Sequence, residues 1–368
     1  MLAQTALVIF TERDSLLEIK LLLLSFGVST PLENLSRTSG RVSSCNGIWL
    51  DLEDRTGKKE RVKVSMKSNP PSRYNLVSTG CNDSYKIIVG AGRLDIELPV
   101  KVGIPQRIPL DSMFMYELSG MLAVSLWGCE LKNENQQCSF CSSAPYTGPK
   151  ATVTEFKQEL DTVLSIVNTR AITVNAGSRV SQTDKGFSQM FPYIEVLRDS
   201  GFNEVNVELM PPDTEDNIQL YQQGKDAGIT SLQLNMEIWG SRRQELMPYK
   251  SRITKQQYLD AIQTATSVFG VGKVSSVLLA GLQNTEELRE GAEAIISVGG
   301  MPSIEVFRAL PGTQMKSYNP QIDYQAVISL AKEVKQQLQK LYGSNVFDSL
   351  EGCMRCGGCN FLYGLRDK

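Results

Sequence analysis

The sequence predicts an α/β fold: a partial, TIM-like (βα)6 barrel, with a small, mostly β unit before it and a cysteine-rich tail after it. Three observations predict this. Short apolar runs alternate with amphipathic helical patterns six times between about Met121 and Leu341. The stretch before them lacks that rhythm. Six of the eight cysteines fall in two tight groups, one at the end of the first apolar run and one beyond the last helical pattern.

The strand candidates of the repeat are Met121–Trp127, Ala171–Ala176, Glu204–Leu209, Ser231–Met236, Lys273–Ala280 and Ser303–Ala309. Between them, apolar residues recur at helical spacing. Phe156, Leu160, Val163, Leu164 and Val167 form one stripe; Phe187, Met190, Phe191, Ile194 and Leu197 form a second, closed by Gly201. Leu259, Ile262, Ala265 and Phe269 lead to Gly270, and Leu288, Ala292, Ile295 and Ile296 lead to Gly299 and Gly300. A last helix is predicted from about Asp323 to Leu341, and the faintest pattern is that from Thr214 to Ala227. Strict alternation implies parallel strands joined by right-handed crossovers. Six units do not close an eight-stranded barrel, so an open one is expected, with its chemistry at the C-terminal ends of the strands.

Residues 1–115 carry apolar-rich runs at Gly47–Leu52, Val62–Met66, Tyr85–Val89 and Leu94–Val102, separated by Gly, Asn, Pro and Ser clusters, with one helix near Leu16 to Ser25. The expected division is a small β domain over 1–115, the barrel over 116–345 and the tail over 346–368.

Composition narrows the chemistry. Of 368 residues, 41% are hydrophobic and 21% charged, as in ordinary globular proteins. Thirty-eight basic against 40 acidic residues leave a formal charge of −2, which does not point to nucleic acid as a partner. The run Leu21–Phe26 is too short to span a bilayer and no basic segment leads into a long apolar core, so a cytoplasmic protein without a membrane partner is expected. The sequence contains no His. That excludes Ser-His and Cys-His nucleophiles and every zinc site with an imidazole ligand, leaving thiolate and carboxylate to hold any metal.

The first candidate strand ends in Val124-Ser125-Leu126-Trp127-Gly128-Cys129, and Cys138-Ser139-Phe140-Cys141 follows. Three thiolates on one loop at a barrel mouth can ligate three irons of a [4Fe–4S] cluster and leave the fourth open. The competing reading is a structural zinc whose fourth ligand comes from Glu130, another Cys or the second group. That second group, Cys353-Met354-Arg355-Cys356-Gly357-Gly358-Cys359, has the Cys-x2-Cys-x2-Cys spacing and flanking glycines of an iron–sulfur site. Its fourth ligand would be Cys45 or Cys81, or its fourth iron would be open to substrate; a structural zinc is again the alternative. Taken alone, Cys45 and Cys81 are expected to be inert core thiols.

With these residues in view, the chain resembles the radical S-adenosylmethionine (SAM) superfamily, and within it the branch of biotin synthase and the hydrogenase-cofactor maturases. The resemblance runs from about Met121 to Thr313. The family's usual motif is Cys-x3-Cys-x2-Cys with an aromatic residue before the third cysteine. Here Phe140 and the Cys-x2-Cys half match, while the first gap is eight residues, filled by the polar insertion Glu130–Gln137.

The resemblance implies that the amino and carboxylate groups of SAM chelate the open iron, and that an electron from the cluster yields a 5′-deoxyadenosyl radical, which abstracts hydrogen from a small organic substrate. It places the SAM amine at Val174-Asn175-Ala176-Gly177-Ser178, where Asn175 or Ser178 would supply any side-chain contact. Asn235 and Glu237, two apart on one strand face, would hold the ribose hydroxyls. Glu208 is a similar inward carboxylate. Gly281 would lie near the adenine. Glu305 and Arg308 are candidates for the substrate cavity. The Arg that pairs with the SAM carboxylate in relatives is missing from Lys255–Asp260, which leaves Arg252 as its candidate replacement. A flavodoxin- or ferredoxin-type donor would supply electrons. An iron–sulfur carrier or scaffold and a zinc-stapled binding protein are the alternatives without SAM chemistry. No barrel Cys or Tyr stands out as a radical relay, and neither substrate nor oligomeric state is written in the sequence.

Overall fold

The computed structural model describes residues 15–26, 47–53, 59–65, 74–78, 84–89, 94–103, 108, 112–117, 120–310 and 312–360. Cys45 and Cys81 lie outside the described residues.

Before the barrel come helix α1 (Ser15–Phe26) and strands β1 (Gly47–Glu53), β2 (Lys59–Ser65), β3 (Tyr74–Ser78), β4 (Ser84–Val89) and β5 (Leu94–Gly103). The strands form one antiparallel sheet in the order β2-β1-β5-β4-β3. The helix and four of these strands follow the sequence pattern. Strand β3 was not expected, because five residues carrying Asn75 and Ser78 show too little alternation to stand out. Leu50, Leu52, Val62 and Val64 bury one face of the sheet, and α1 packs against β2.

The second sheet has the order β12-β11-β10-β9-β8-β7-β6. Its strands are β6 (Phe114–Glu117), β7 (Met121–Ser125), β8 (Ala171–Asn175), β9 (Glu204–Leu209), β10 (Ser231–Leu234), β11 (Val274–Ala280) and β12 (Met301–Val306). From β7 to β12 every neighbour is parallel, as the alternation predicts. Strand β6 adds an antiparallel edge that the periodicity did not show, paired Phe114↔Val124 to Glu117↔Met121. The first and last strands are not paired, so the barrel is open.

Crossover helices α3 (Val153–Leu164), α4 (Phe191–Asp199), α5 (Asn217–Ala227), α7 (Lys255–Phe269), α8 (Thr285–Ser297) and α9 (Tyr324–Tyr342) follow the strands; the short α2 (Glu130–Asn133) and α6 (Arg243–Leu246) lie in loops at the mouth. Helix starts are written in the sequence. Thr152/Glu155, Thr254/Gln257 and Asn284/Glu287 close reciprocal capping boxes on α3, α7 and α8. Even the faint α5 begins on a capping carboxylate, with Asp216 accepting from the Gln219 N–H at 2.8 Å.

Strand alternation divides the barrel into two faces. Ile172, Val174, Val205, Val207, Leu232, Leu234, Leu278 and Ile304 join the large apolar core under the helices. The opposite face is polar across the sheet: in register lie Ser125↔Asn175, Asn175↔Glu208, Glu208↔Gln233 and Gln233↔Ser275. At the mouth that inner face turns apolar, where Val277, Leu279, Leu282 and Phe307 pack with Cys138, Ile238 and Met247.

The tail does not hang free. Helix α10 (Gly352–Cys356) packs on β8 and β9, and Gly352 N–H donates to Glu204 at 2.9 Å. Gly352 must lack a side chain, since a Cβ there would fall 2.3 Å from Asn206. Glu351, just before it, engages both Thr230 and Lys273. On its other side, Lys20 Nζ donates to Gly357 O at 2.8 Å and Lys63 N–H to Gly358 O at 3.1 Å. Lys63 also forms a buried ion pair with Glu117 at 2.7 Å. Among the described residues no helix is long and apolar enough to cross a membrane.

Candidate active site

Strand β7 ends at Ser125 and delivers Trp127, Gly128 and Cys129 to the mouth of the barrel. The backbone there is held from both sides. Cys129 N–H donates to Ala144 O at 2.8 Å, and Tyr146 N–H returns to Cys129 O at 3.2 Å. From the β8 loop, Gly177 N–H donates to Trp127 O at 3.1 Å, while Trp127 Nε1 donates to Gly177 O at 2.9 Å. Gly177 rests directly on this turn: a Cβ on it would lie 2.3 Å from Gly128 C and O and from Cys129 N. Glycine is obligatory at that place.

The insertion between Cys129 and Cys138 is more ordered than its polar composition implied. Helix α2 forms within it, and Leu131 is buried. Glu130 is spent on the loop itself, accepting from Arg179 Nε at 2.6 Å and from Ser181 N–H and Oγ at 2.9 Å. Burial pushes its carboxyl up, but those donors outweigh it and hold it below the ordinary carboxylate range. Arg179 is held in turn by Gln189 at 2.7 Å and by the Tyr146 ring. Glu130 therefore gives no support to a zinc site. Beyond the insertion, Ser139 N–H donates to Leu246 O at 2.8 Å, which ties the Cys138–Cys141 turn to α6.

Cys129, Cys138 and Cys141 line one cleft together with Phe140, Asn175, Gly177, Ser178, Glu208, Asn235, Glu237 and Lys250. The cleft is open to solvent at the barrel mouth. The structure thus brings together all but two of the residues expected to bind cofactor. Arg252 is not among those lining the cleft; its guanidinium stacks on the Tyr249 ring, 5.2 Å away. Gly281 also lies outside it, its backbone against Pro320 and Ile322.

Lys250 was missed in the sequence. It lies in a turn that carries no motif, two residues before the arginine that drew attention. Its ammonium is 3.8 Å from Glu237. Burial would lower its pKa, but Tyr258, Cys138, Glu237 and Cys141 around it reverse the sign and raise it. Glu237 has a left-handed backbone, φ 64°, unusual for a residue with a side chain and common at functional sites. Burial raises its carboxyl, against the pull of Lys250. Asn235 Oδ1 accepts from Val277 N–H at 3.1 Å, leaving its amide N–H2 toward the cleft.

Cys129, Cys138 and Cys141 form no disulfide. Burial pushes Cys138 up to about 12, opposed by Lys250, and raises Cys129 as well. Among the described residues no three His, Cys, Asp or Glu side chains are gathered as a single-ion site. An iron–sulfur cube binds each thiolate at a different iron and does not need that gathering. The donor set fits such a group: three thiols lining one cleft, a neighbouring ammonium to balance anionic sulfur, and a glycine whose backbone closes directly on the Cys129 turn.

No protein-family model matches the chain. It is 28% identical over 131 residues to bacteriochlorophyllide c C-7(1)-hydroxylase of Chlorobaculum limnaeum, covering 34% of this chain and 32% of the hydroxylase. Among solved structures it is similar to coproporphyrinogen III oxidase of Escherichia coli, a radical SAM enzyme, at 14% identity and a TM-score of 0.40, covering 60% of this chain and 52% of that one. It is also similar to the [FeFe]-hydrogenase maturase HydG of Carboxydothermus hydrogenoformans, at 16% identity and a TM-score of 0.44, covering 65% and 57%. The chain spans about a third of the hydroxylase and little more than half of the two solved structures.

The second cysteine group lies apart from the first yet reaches the same interior. Cys353 Sγ donates to Glu208 Oε1 at 3.0 Å, and Arg308 Nη2 donates to Cys359 Sγ at 3.3 Å. Glu305 bridges to Asn360. Arg308 thus meets the tail, while Glu305 pairs with it through the backbone and its own carboxyl, pushed up to about 7 by burial, lies in the field of Arg308, Glu208 and Glu237.

Proposed function

We propose that this chain is a radical SAM enzyme, with Cys129, Cys138 and Cys141 holding a [4Fe–4S] cluster. The observation that carries this reading is the convergence of those three thiols with Asn175, Gly177, Ser178, Asn235 and Glu237 on one cleft at the C-terminal ends of the strands. When bound, the cluster and SAM supply reductive cleavage of the S–C5′ bond, giving a 5′-deoxyadenosyl radical for hydrogen abstraction.

The chain's own residues supply position and charge. Gly177 lets the β8 loop close on Cys129, and its neighbours Asn175 and Ser178 face the methionine end of SAM. Asn235 and Glu237 face the ribose hydroxyls, one as amide donor and one as acceptor. Lys250, rather than Arg252, lies where a carboxylate in the cleft can meet a partly buried cation. The apolar patch of Leu279, Phe307 and Met247 keeps water from that part of the mouth. Cys353, Cys356 and Cys359 hold a second iron–sulfur centre, a reading supported by their spacing. A small organic substrate and a flavodoxin- or ferredoxin-type reductant complete the reaction, in a compartment that keeps these thiols reduced.

Electron paramagnetic resonance of the anaerobically reconstituted, reduced protein tests the reading. Adding SAM should shift the signal of one cluster. Substituting Cys129, Cys138 and Cys141 together by Ala should remove the SAM-responsive signal. A SAM-insensitive spectrum in the unsubstituted protein would overturn it.

A further inference from the structure

Strand β9 faces the barrel interior with Glu204, Asn206 and Glu208, and the tail consumes all three positions. Glu204 accepts from Gly352 N–H and pairs with Arg355 at 3.0 Å; Asn206 lies beneath Gly352; Glu208 meets the Cys353 thiol. Glu208 is partly buried in the wall of the cleft, and its other side-chain hydrogen-bond partner is Asn175, another residue of that wall. A carboxylate held against a thiol and an amide is stabilised when a positive charge joins it. The tail thiols meanwhile number three, one short of the usual four ligands of a closed metal site. The loop between Cys356 and Cys359 is fixed from outside by Lys20 and Lys63, and Arg308 touches Cys359, so the group is built to stay where it is.

We propose that Glu208 is the fourth ligand of the metal centre held by Cys353, Cys356 and Cys359, so that this centre shares a wall with the cleft of Cys129, Cys138 and Cys141. The proposal rests on reading the tail as a metal site. In the metal-free protein Glu208 accepts the Cys353 proton; with metal bound, the proton is lost and both donors face the same positive centre. A carboxylate among thiolates is a harder and more exchangeable ligand than a fourth Cys. A group entering the cleft can therefore displace it from the inner side.

The test uses the full chain with Cys129, Cys138 and Cys141 substituted by Ala, which isolates the tail centre. Each sample is reconstituted anaerobically with iron and sulfide and read by metal content, by paramagnetic resonance after dithionite reduction, and by the rate of metal loss to EDTA. Adding Glu208→Gln should change the spectrum and speed metal loss at least tenfold. Adding Glu208→Cys should restore slow loss and give the spectrum of an all-thiolate centre. If Glu208→Gln leaves spectrum and loss rate as in its parent, Glu208 is not a ligand, while the tail centre itself stands. If the parent holds no metal, the reading of the tail as a metal site fails, and the proposal with it. Circular dichroism of the two variants, and the recovery by Glu208→Cys, separate loss of a ligand from loss of the fold.

Discussion

Replacing Gly177 by Ala adds one methyl group at the most crowded point of the site. The new Cβ would lie 2.3 Å from Gly128 C and O and from Cys129 N, where ordinary contact begins at 3.4 Å. The two loops must therefore separate by about 1 Å, and every atom they would strike is backbone, so no side-chain rotation relieves it. Overpacking of this kind costs about 1–3 kcal/mol, and at about 2–4 °C per kcal/mol the melting temperature should fall by a few degrees. The fold survives that loss. The hydrogen bonds between Trp127 and Gly177 do not keep their lengths, and Cys129 shifts relative to Cys138 and Cys141. Anaerobic reconstitution of Gly177→Ala, followed by iron analysis and a thermal melt, should show a folded protein short of about four irons per chain, the content of one cube. Iron content and melting temperature equal to those of the unsubstituted protein would refute the claim that this close approach sets the cluster loop.

Lys250→Met should weaken SAM binding about 10- to 150-fold, the value of one charge-assisted hydrogen bond, in anaerobic equilibrium dialysis; Arg252→Met should leave it within twofold. Lys63→Met strands Glu117 from an ion pair whose side chains are each 4% exposed, and should cost about 3–5 kcal/mol in urea unfolding, part of which returns when Glu117 is also made apolar. Glu287 accepts from Ser241 and Asn284, and these bonds outweigh burial and depress its carboxyl below 4.5. A depressed carboxylate stabilises the fold above its unfolded pKa and loses that effect as pH falls through the folded one. Glu287→Gln should therefore melt earlier at pH 7, and the gap should close on acidification below 4.5. Asp216→Ala removes the cap of α5 and should cost about 1 kcal/mol.

The fold was legible because its signals are local. Stripes such as Phe156-Leu160-Val163 and capped starts such as Thr152-x-x-Glu155 fix helices wherever they fall, and parallel order follows from alternation. Strand β6 escaped because four residues cannot show a period, and its place comes from pairing with Met121–Val124 across a turn. In the site, the cysteines were visible through their spacing, while Phe140, Asn175, Gly177, Ser178, Asn235 and Glu237 were expected from the family resemblance, and the fold brings all of them to one cleft. Lys250 was not, since nothing in Met247-Pro248-Tyr249-Lys250 sets it apart; only the folded turn shows which cation faces the thiols. Arg252 drew attention by residue type, yet its turn aims it at Tyr249. The contact of Glu208 with Cys353 joins residues 145 positions apart, beyond the reach of any local pattern.

The central claim is that the three thiols of the barrel mouth support cleavage of SAM. Reconstituted protein should be reduced with dithionite in the presence of SAM and the products separated by liquid chromatography. The account predicts 5′-deoxyadenosine and methionine in equal amounts from the unsubstituted chain and none from the Cys129→Ala, Cys138→Ala, Cys141→Ala variant. Release of 5′-deoxyadenosine by that variant, or none from a fully iron-loaded unsubstituted chain, would contradict it.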